Sequence, residues 1–289
     1  MFPKYLALLL GFSSCTHAQL PLSIEELLVD EHVLKLESGF SYTNSEQLLQ
    51  RLEWLPGESV AANGPPSNPM PYTRVSTRDS DFSRLSTGLR YGISQSAELS
   101  VRASYAHVTW REPAAPGGSS NLHALTLGGT WLASPENSTP ALLLSLSIDA
   151  LENSLADSSK TLYGKTVRVG FTAYRSIDPV VLSLAAGYEY TAARNISAGE
   201  LDPGDQFYLV PQINFAVNHK ITLIGGIGLR IRQSDELNGH KASSRNNTTD
   251  ALLGLGFAPS GRSTVFLQSR FATGGGRSAS LSLDWLYTF

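Results

Sequence analysis

The chain has 289 residues, 42% hydrophobic and only 16% charged, with a formal net charge of −3. Soluble domains carry about 25% charged residues, so charge is scarce, yet no run reaches the roughly 20 apolar residues a membrane helix requires. No basic cluster stands out, which argues against a nucleic-acid partner.

Residues 1–18 have the form of an export signal: Lys4, the apolar run Tyr5–Phe12, and the small-residue site Thr16-His17-Ala18. Cys15 is the one cysteine, and Phe12 makes the residues before it a poor lipidation site. Cleavage after Ala18 leaves a mature chain without disulfides or thiol-bound metal. Residues 19–31 read as a short helix. Ser23 and Glu26 form a capping box, and Leu22 with Leu27 a hydrophobic staple. A helix this short needs a surface to lie on. The preferred surface is the periplasmic rim of the structure built by residues 32–289; the alternative is a plug or docking peptide, with Ser23, Glu26, Leu27 and Leu28 as gate candidates.

From residue 32 onward, apolar and polar residues alternate in segments that read as twelve strands. The first six are Val33–Thr43, Phe82–Ile93, Ala97–Thr109, Leu122–Leu132, Leu142–Leu151 and Tyr163–Arg175. The remainder are Val180–Thr191, Gln206–Val217, Ile221–Arg232, Thr249–Phe257, Thr264–Phe271 and Ala279–Phe289. One parity carries residues such as Phe40, Leu85, Val101, Leu127 and Leu182; the other is polar and rich in glycine. The connections alternate between short ones and long ones, the longest being Asn44–Asp81, which is long enough to fold inward. Apolar-out, polar-in segments of about ten residues with alternating loop lengths are the pattern of a transmembrane β-barrel. The predicted fold is therefore all-β: a closed, up-and-down antiparallel barrel over 32–289 with a short N-terminal helix. Aromatics such as Tyr42, Tyr190, Trp131 and Phe257 collect near strand ends, as interfacial girdles do. Pro211 falls inside the eighth strand, where the lost N–H predicts a bulge or an offset.

The inward parity is where chemistry should be written. It carries Lys35, Arg84, Arg90, Arg102, Arg168, Arg230, Arg232 and Arg270 against Glu37, Glu98, Asp149, Glu189 and Asp284, all read as pore-lining. Such a face is either a ladder of structural ion pairs or a wet pore with a mild preference for anions. No nucleophile elbow, zinc-protease or phosphate-loop motif appears. His107 and Ser104 have opposite parity, so a hydrolase pair there is disfavoured, and no catalytic residue, cofactor or metal is expected. In the last segment Ala279, Leu281, Leu283, Trp285, Tyr287 and Phe289 share one face, with Leu286 the exception on the other. This end resembles the closing strand of outer-membrane barrels, which implies that Trp285, Tyr287 and Phe289 are read by the barrel-assembly machinery.

Residues 20–46, from Leu-Pro-Leu-Ser-Ile-Glu-Glu-Leu-Leu through Leu-Glu-Ser-Gly-Phe-Ser-Tyr-Thr-Asn-Ser-Glu, together with the strand pattern, resemble a known group. It is the outer-membrane transporter family of the phenol meta-pathway type, similar to the functional-amyloid secretion channel of pseudomonads. The resemblance implies a twelve-stranded pore with an N-terminal plug helix; the periplasmic coiled coil of the amyloid channel has no room before residue 32. The expected role is an outer-membrane channel for small polar or anionic solutes, or a substrate-specific transporter. The alternative is a conduit or docking protein for a secreted polypeptide, and a barrel-embedded hydrolase comes third. Outer-membrane lipid and lipopolysaccharide are the expected surroundings.

Overall fold

Alternation along each segment becomes a cylinder because every long strand pairs antiparallel with the strand before and after it. A computed structural model describes residues 21–55, 70–111, 117–153, 161–196, 199–274 and 277–289. The expected signal segment, Cys15 included, lies outside the described residues.

The principal sheet has thirteen strands, of which one is the two-residue segment Thr161–Leu162 beside the end of a longer neighbour. The other twelve are numbered in chain order. They are β1 Leu34–Leu55, β2 Met70–Ser94, β3 Ala97–Arg111, β4 Gly117–Ser134, β5 Ala141–Asn153 and β6 Thr166–Ile177. They continue as β7 Val180–Thr191, β8 Gln206–Asn218, β9 Ile221–Arg232, β10 Asn246–Ser260, β11 Ser263–Gly274 and β12 Arg277–Thr288. Each pairs with the next, and β12 returns to β1 from Lys35↔Thr288 to Glu46↔Arg277. The Phe289 amide donates to the Leu34 carbonyl at 3.1 Å and completes the seam. A cylinder without edges is what hydrocarbon demands, because an unpaired backbone group there costs several kcal/mol. No described helix is long and apolar enough to cross a membrane; the strands do so.

Large apolar side chains stand on the outside: Leu85 is 58% exposed, Leu127 45% and Leu253 60%, with Phe40, Val101 and Leu182 among the rest. In water such a surface would associate. Around a closed barrel it is the belt that meets lipid, which makes this an outer-membrane protein.

Three departures from the sequence reading have physical causes. The stretch Asn44–Asp81 is largely not a loop: β1 and β2 stay paired from Asn44↔Asp81 to Leu55↔Met70, beyond the last rung to β12. The alternation that marks a half-buried strand fades once the strands leave the barrel, so this ribbon carries no parity signal. Pro211 causes neither bulge nor offset. Register to β9 is the same on either side, with Leu209↔Leu229 and Gln212↔Gly226, and only Val210 and Pro211 lack rungs there. The register shift in this pair lies between Ala216 and Asn218, at the turn. Finally, the connections at 192–205 and 233–248, read as loops, contribute to a second sheet. Its four short strands are Arg194–Ile196, Gly199–Asp202, Glu236–Leu237 and His240–Lys241.

Candidate functional site

On the inner face of β8–β12 the pattern breaks in favour of apolar residues. Val210, Ile224, Leu252, Phe266 and Leu286 occupy successive strands and form one buried cluster with Leu22 and Ala258. Leu286, the parity exception of the last segment, is 7% exposed because it belongs to this pad. The rest of the inner wall is polar, with its charged residues gathered largely away from this pad. The bore thus has an apolar side and an ionic side.

The N-terminal segment spans the two. Its helix is one turn, Leu22–Glu25, with Pro21 at the N-cap and no side-chain cap. The expected capping box is therefore absent, since both of its members are used elsewhere. Ser23 Oγ donates to Asn214 Oδ1 of β8 at 2.9 Å, and the Leu22 amide donates to Thr222 Oγ1 of β9 at 3.0 Å. Glu26 accepts from Lys35 Nζ at 2.6 Å and from Thr264 Oγ1 at 2.9 Å. Arg90 donates to the Glu26 and Leu27 carbonyls, and the Val29 amide donates to Glu98 Oε2 at 2.8 Å. Gly92 is required where it is, because a Cβ there would strike the Asp30 backbone. Residues 21–31 lie inside the barrel near its short-turn end, because the barrel wall supplies both the apolar pad and the donors this segment needs. Leu28 takes no part in these hydrogen bonds.

Beyond this strap lies the ionic arc. Arg168 grips Asp149 with Nη1 and Nη2 at 2.8 and 2.9 Å and Glu189 with Nε at 2.6 Å. Thr126 Oγ1 donates to the same Asp149 at 2.7 Å. Arg102 pairs with Glu37, and Arg90 with Glu98 at 2.8 Å. Arg84 sits near Arg102, Arg168, Asp149 and Asp284 but makes no ion pair among the described residues. Asp284 lies over Gly39, where any Cβ would displace it. Toward the outer mouth Glu152 accepts from Thr166 at 2.7 Å and pairs with Arg194, which the small outer sheet brings back to the wall.

Of the thirteen charged residues assigned to the inner face, Arg232 is placed differently. It turns to the outer connection and pairs with Asp235 at 2.9 Å. Arg230 and Arg270 line a cavity on the β8–β11 side. Residues the parity argument passed over include Asp250, Tyr208, Gln212 and Asn214. Asp250 shares the parity of Gly254 and Gly256 and could have been found by extending that count back through Leu252. Glu152 and Arg194 could not, since the contact depends on how an outer connection folds. Trp285, Tyr287 and Phe289 form a ladder of rings at the barrel's end, with centroids 6.0 and 5.3 Å apart.

No protein-family model and no curated protein matches the chain. Among solved structures it is similar to an outer-membrane channel from Pseudomonas putida F1. The TM-score is 0.64 at 12% identity, covering 90% of this chain and 97% of that one. It is also similar to the β-domain of the Bordetella autotransporter Brka, with a TM-score of 0.51 at 11% identity, covering 90% of this chain and 100% of that one. At such identities the likeness is one of fold. One of these proteins is a channel and the other an autotransporter domain, so activity must be argued from the bore itself.

Proposed function

We propose that the protein is an outer-membrane channel for small polar or anionic solutes, closed at its periplasmic end by residues 21–31. One observation carries this reading: the segment before β1 lies across the bore and is held by side chains from β1, β2, β3, β8, β9 and β11. A barrel needing only to sit in the membrane has no use for such a strap, whereas a conductive bore needs closing. Charged side chains of both signs line the bore beyond it, and among the described residues Arg84 and Arg230, against Asp284 alone, are not committed to ion pairs, which favours anions over cations. The resemblance of residues 20–46 to the phenol meta-pathway transporters supports the same role, with solute passage ahead of polypeptide export.

Each contact of the strap is a net gain of about 1 kcal/mol, somewhat more where a charge takes part, so the closed state is reversible. Deleting residues 19–31 should raise the open probability of the purified protein in a planar bilayer. Unchanged single-channel traces would remove the strap as the closing element.

A further inference from the structure

Outward of the apolar pad, β8–β11, together with Ala185 of β7, line a partly open cavity of about 340 Å³. Its polar lining comes from Gln206, Tyr208 and Gln212 on β8, Arg230 on β9, Asp250 on β10 and Arg270 on β11. Clefts that hold small molecules start at about 300 Å³, so the space suits a solute of sugar size. We propose that this cavity is a selectivity site for a small hydroxylated carboxylate, its anionic end gripped by Arg230 and Arg270 and its hydroxyls by Asp250 and the two glutamines. The proposal deepens the channel reading and rests on it.

The charges ask for an anion. Arg230 makes no ion pair among the described residues, and Arg270 has only a long contact to Asp250, 3.6 Å from Nη1 to Oδ2. The two guanidinium groups are near enough to repel each other. A guanidinium presents a planar fork of donors that matches a carboxylate, and two facing one space leave a positive excess that a ligand's charge would offset. The hydrogen-bond account asks for hydroxyls. Asp250 Oδ2 is buried with no hydrogen-bond partner among the described residues. A buried carboxylate short of donors is costly, and a ligand hydroxyl donated to Asp250 where it lines the cavity would lessen that cost. Each glutamine amide both donates and accepts.

Glycines keep the space open. A Cβ on Gly187 would collide with the Tyr208 ring, one on Gly170 would crowd its hydroxyl at 3.1 Å, and one on Gly228 would collide with Asp250. Without those side chains Tyr208 and Asp250 lie back along the wall instead of across the cavity. Val210 both lines this cavity and belongs to the pad beneath Leu22, so a bound solute would rest one layer from the strap.

The test is calorimetric titration of the purified full-length protein in detergent with sodium gluconate, at constant ionic strength, with glucose as the neutral match. Gluconate should give saturable binding and glucose none. Arg230→Gln and Arg270→Gln should each weaken gluconate by about tenfold or more, the loss expected for one charge-assisted contact. Equal response to both sugars, no gluconate binding, or gluconate binding unchanged in both variants would each overturn the site. Bilayer recordings on the same preparation separate the two claims. Currents without gluconate binding sink the site alone, and gluconate binding without any current under strap deletion sinks the channel reading alone.

Discussion

Leu127 and Gln268 sit at comparable depth on opposite faces of the wall, one 45% exposed among Val101 and Ile148, the other facing Gly254 inside. An arginine at Leu127 must enter hydrocarbon, whereas one at Gln268 enters a polar bore. Leu127→Arg should therefore destabilise the barrel by about 2–4 kcal/mol in a bilayer unfolding titration, and Gln268→Arg by much less. Equal losses would overturn the facing of the wall. Most facings of this kind were legible in the sequence, because the period of two is fixed by strand geometry and one face had to be apolar. Single-residue partners were not. Ser23 and Glu26 have the spacing of a helix cap, yet Asn214, Lys35 and Thr264 offer them better partners, and nothing local announces Asn214 and Thr264, which lie 191 and 238 positions away.

Elements outside the barrel were the least legible. The outer sheet joins two connections through pairs such as Leu201↔Leu237, each only a few residues long. Asp235 organises it. The Gly204 amide, Arg232 and Ser243 all donate to its carboxylate. Burial resists its charge, but the Gly204 amide, Arg232 and Ser243 outweigh it and hold the carboxyl below the ordinary 3.8. A depressed value in the folded state means the stabilisation is complete above the unfolded value and fades as pH falls through the folded one. Protection of the Gly204 amide from hydrogen exchange should therefore hold from neutral pH to about 4 and fall below it. In Asp235→Asn it should be low throughout; a variant with wild-type protection would show that the carboxylate does not order the sheet. The strap, by contrast, was legible as an element but not in its location. Its apolar landing site is spread over five strands, chiefly as one inward-parity residue each, and of these exceptions only Leu286 stood out along the chain.

At the scale of the whole molecule, strand number, order and direction followed from loop alternation and parity alone, since closure leaves few other arrangements for segments that must hide every edge. The closing seam adds a prediction about assembly. Phe289 is 64% exposed, touching Tyr287 edge-on and bonded to Leu34 only through its backbone. Replacing it with alanine should change the refolded barrel's stability by no more than about 1 kcal/mol. If its ring is an assembly signal, the heat-shifted, folded band from cell envelopes should drop severalfold; unchanged amounts would remove that role. The β1–β2 ribbon has a different consequence. Nine rungs past the last contact with β12, from Gln47↔Arg78 to Leu55↔Met70, at about 3.3 Å each, carry its paired backbone about 30 Å beyond the wall. It leaves the barrel at the long-loop end, so a peptide grafted beside Leu55 or Met70 should be reached by an antibody added to intact cells.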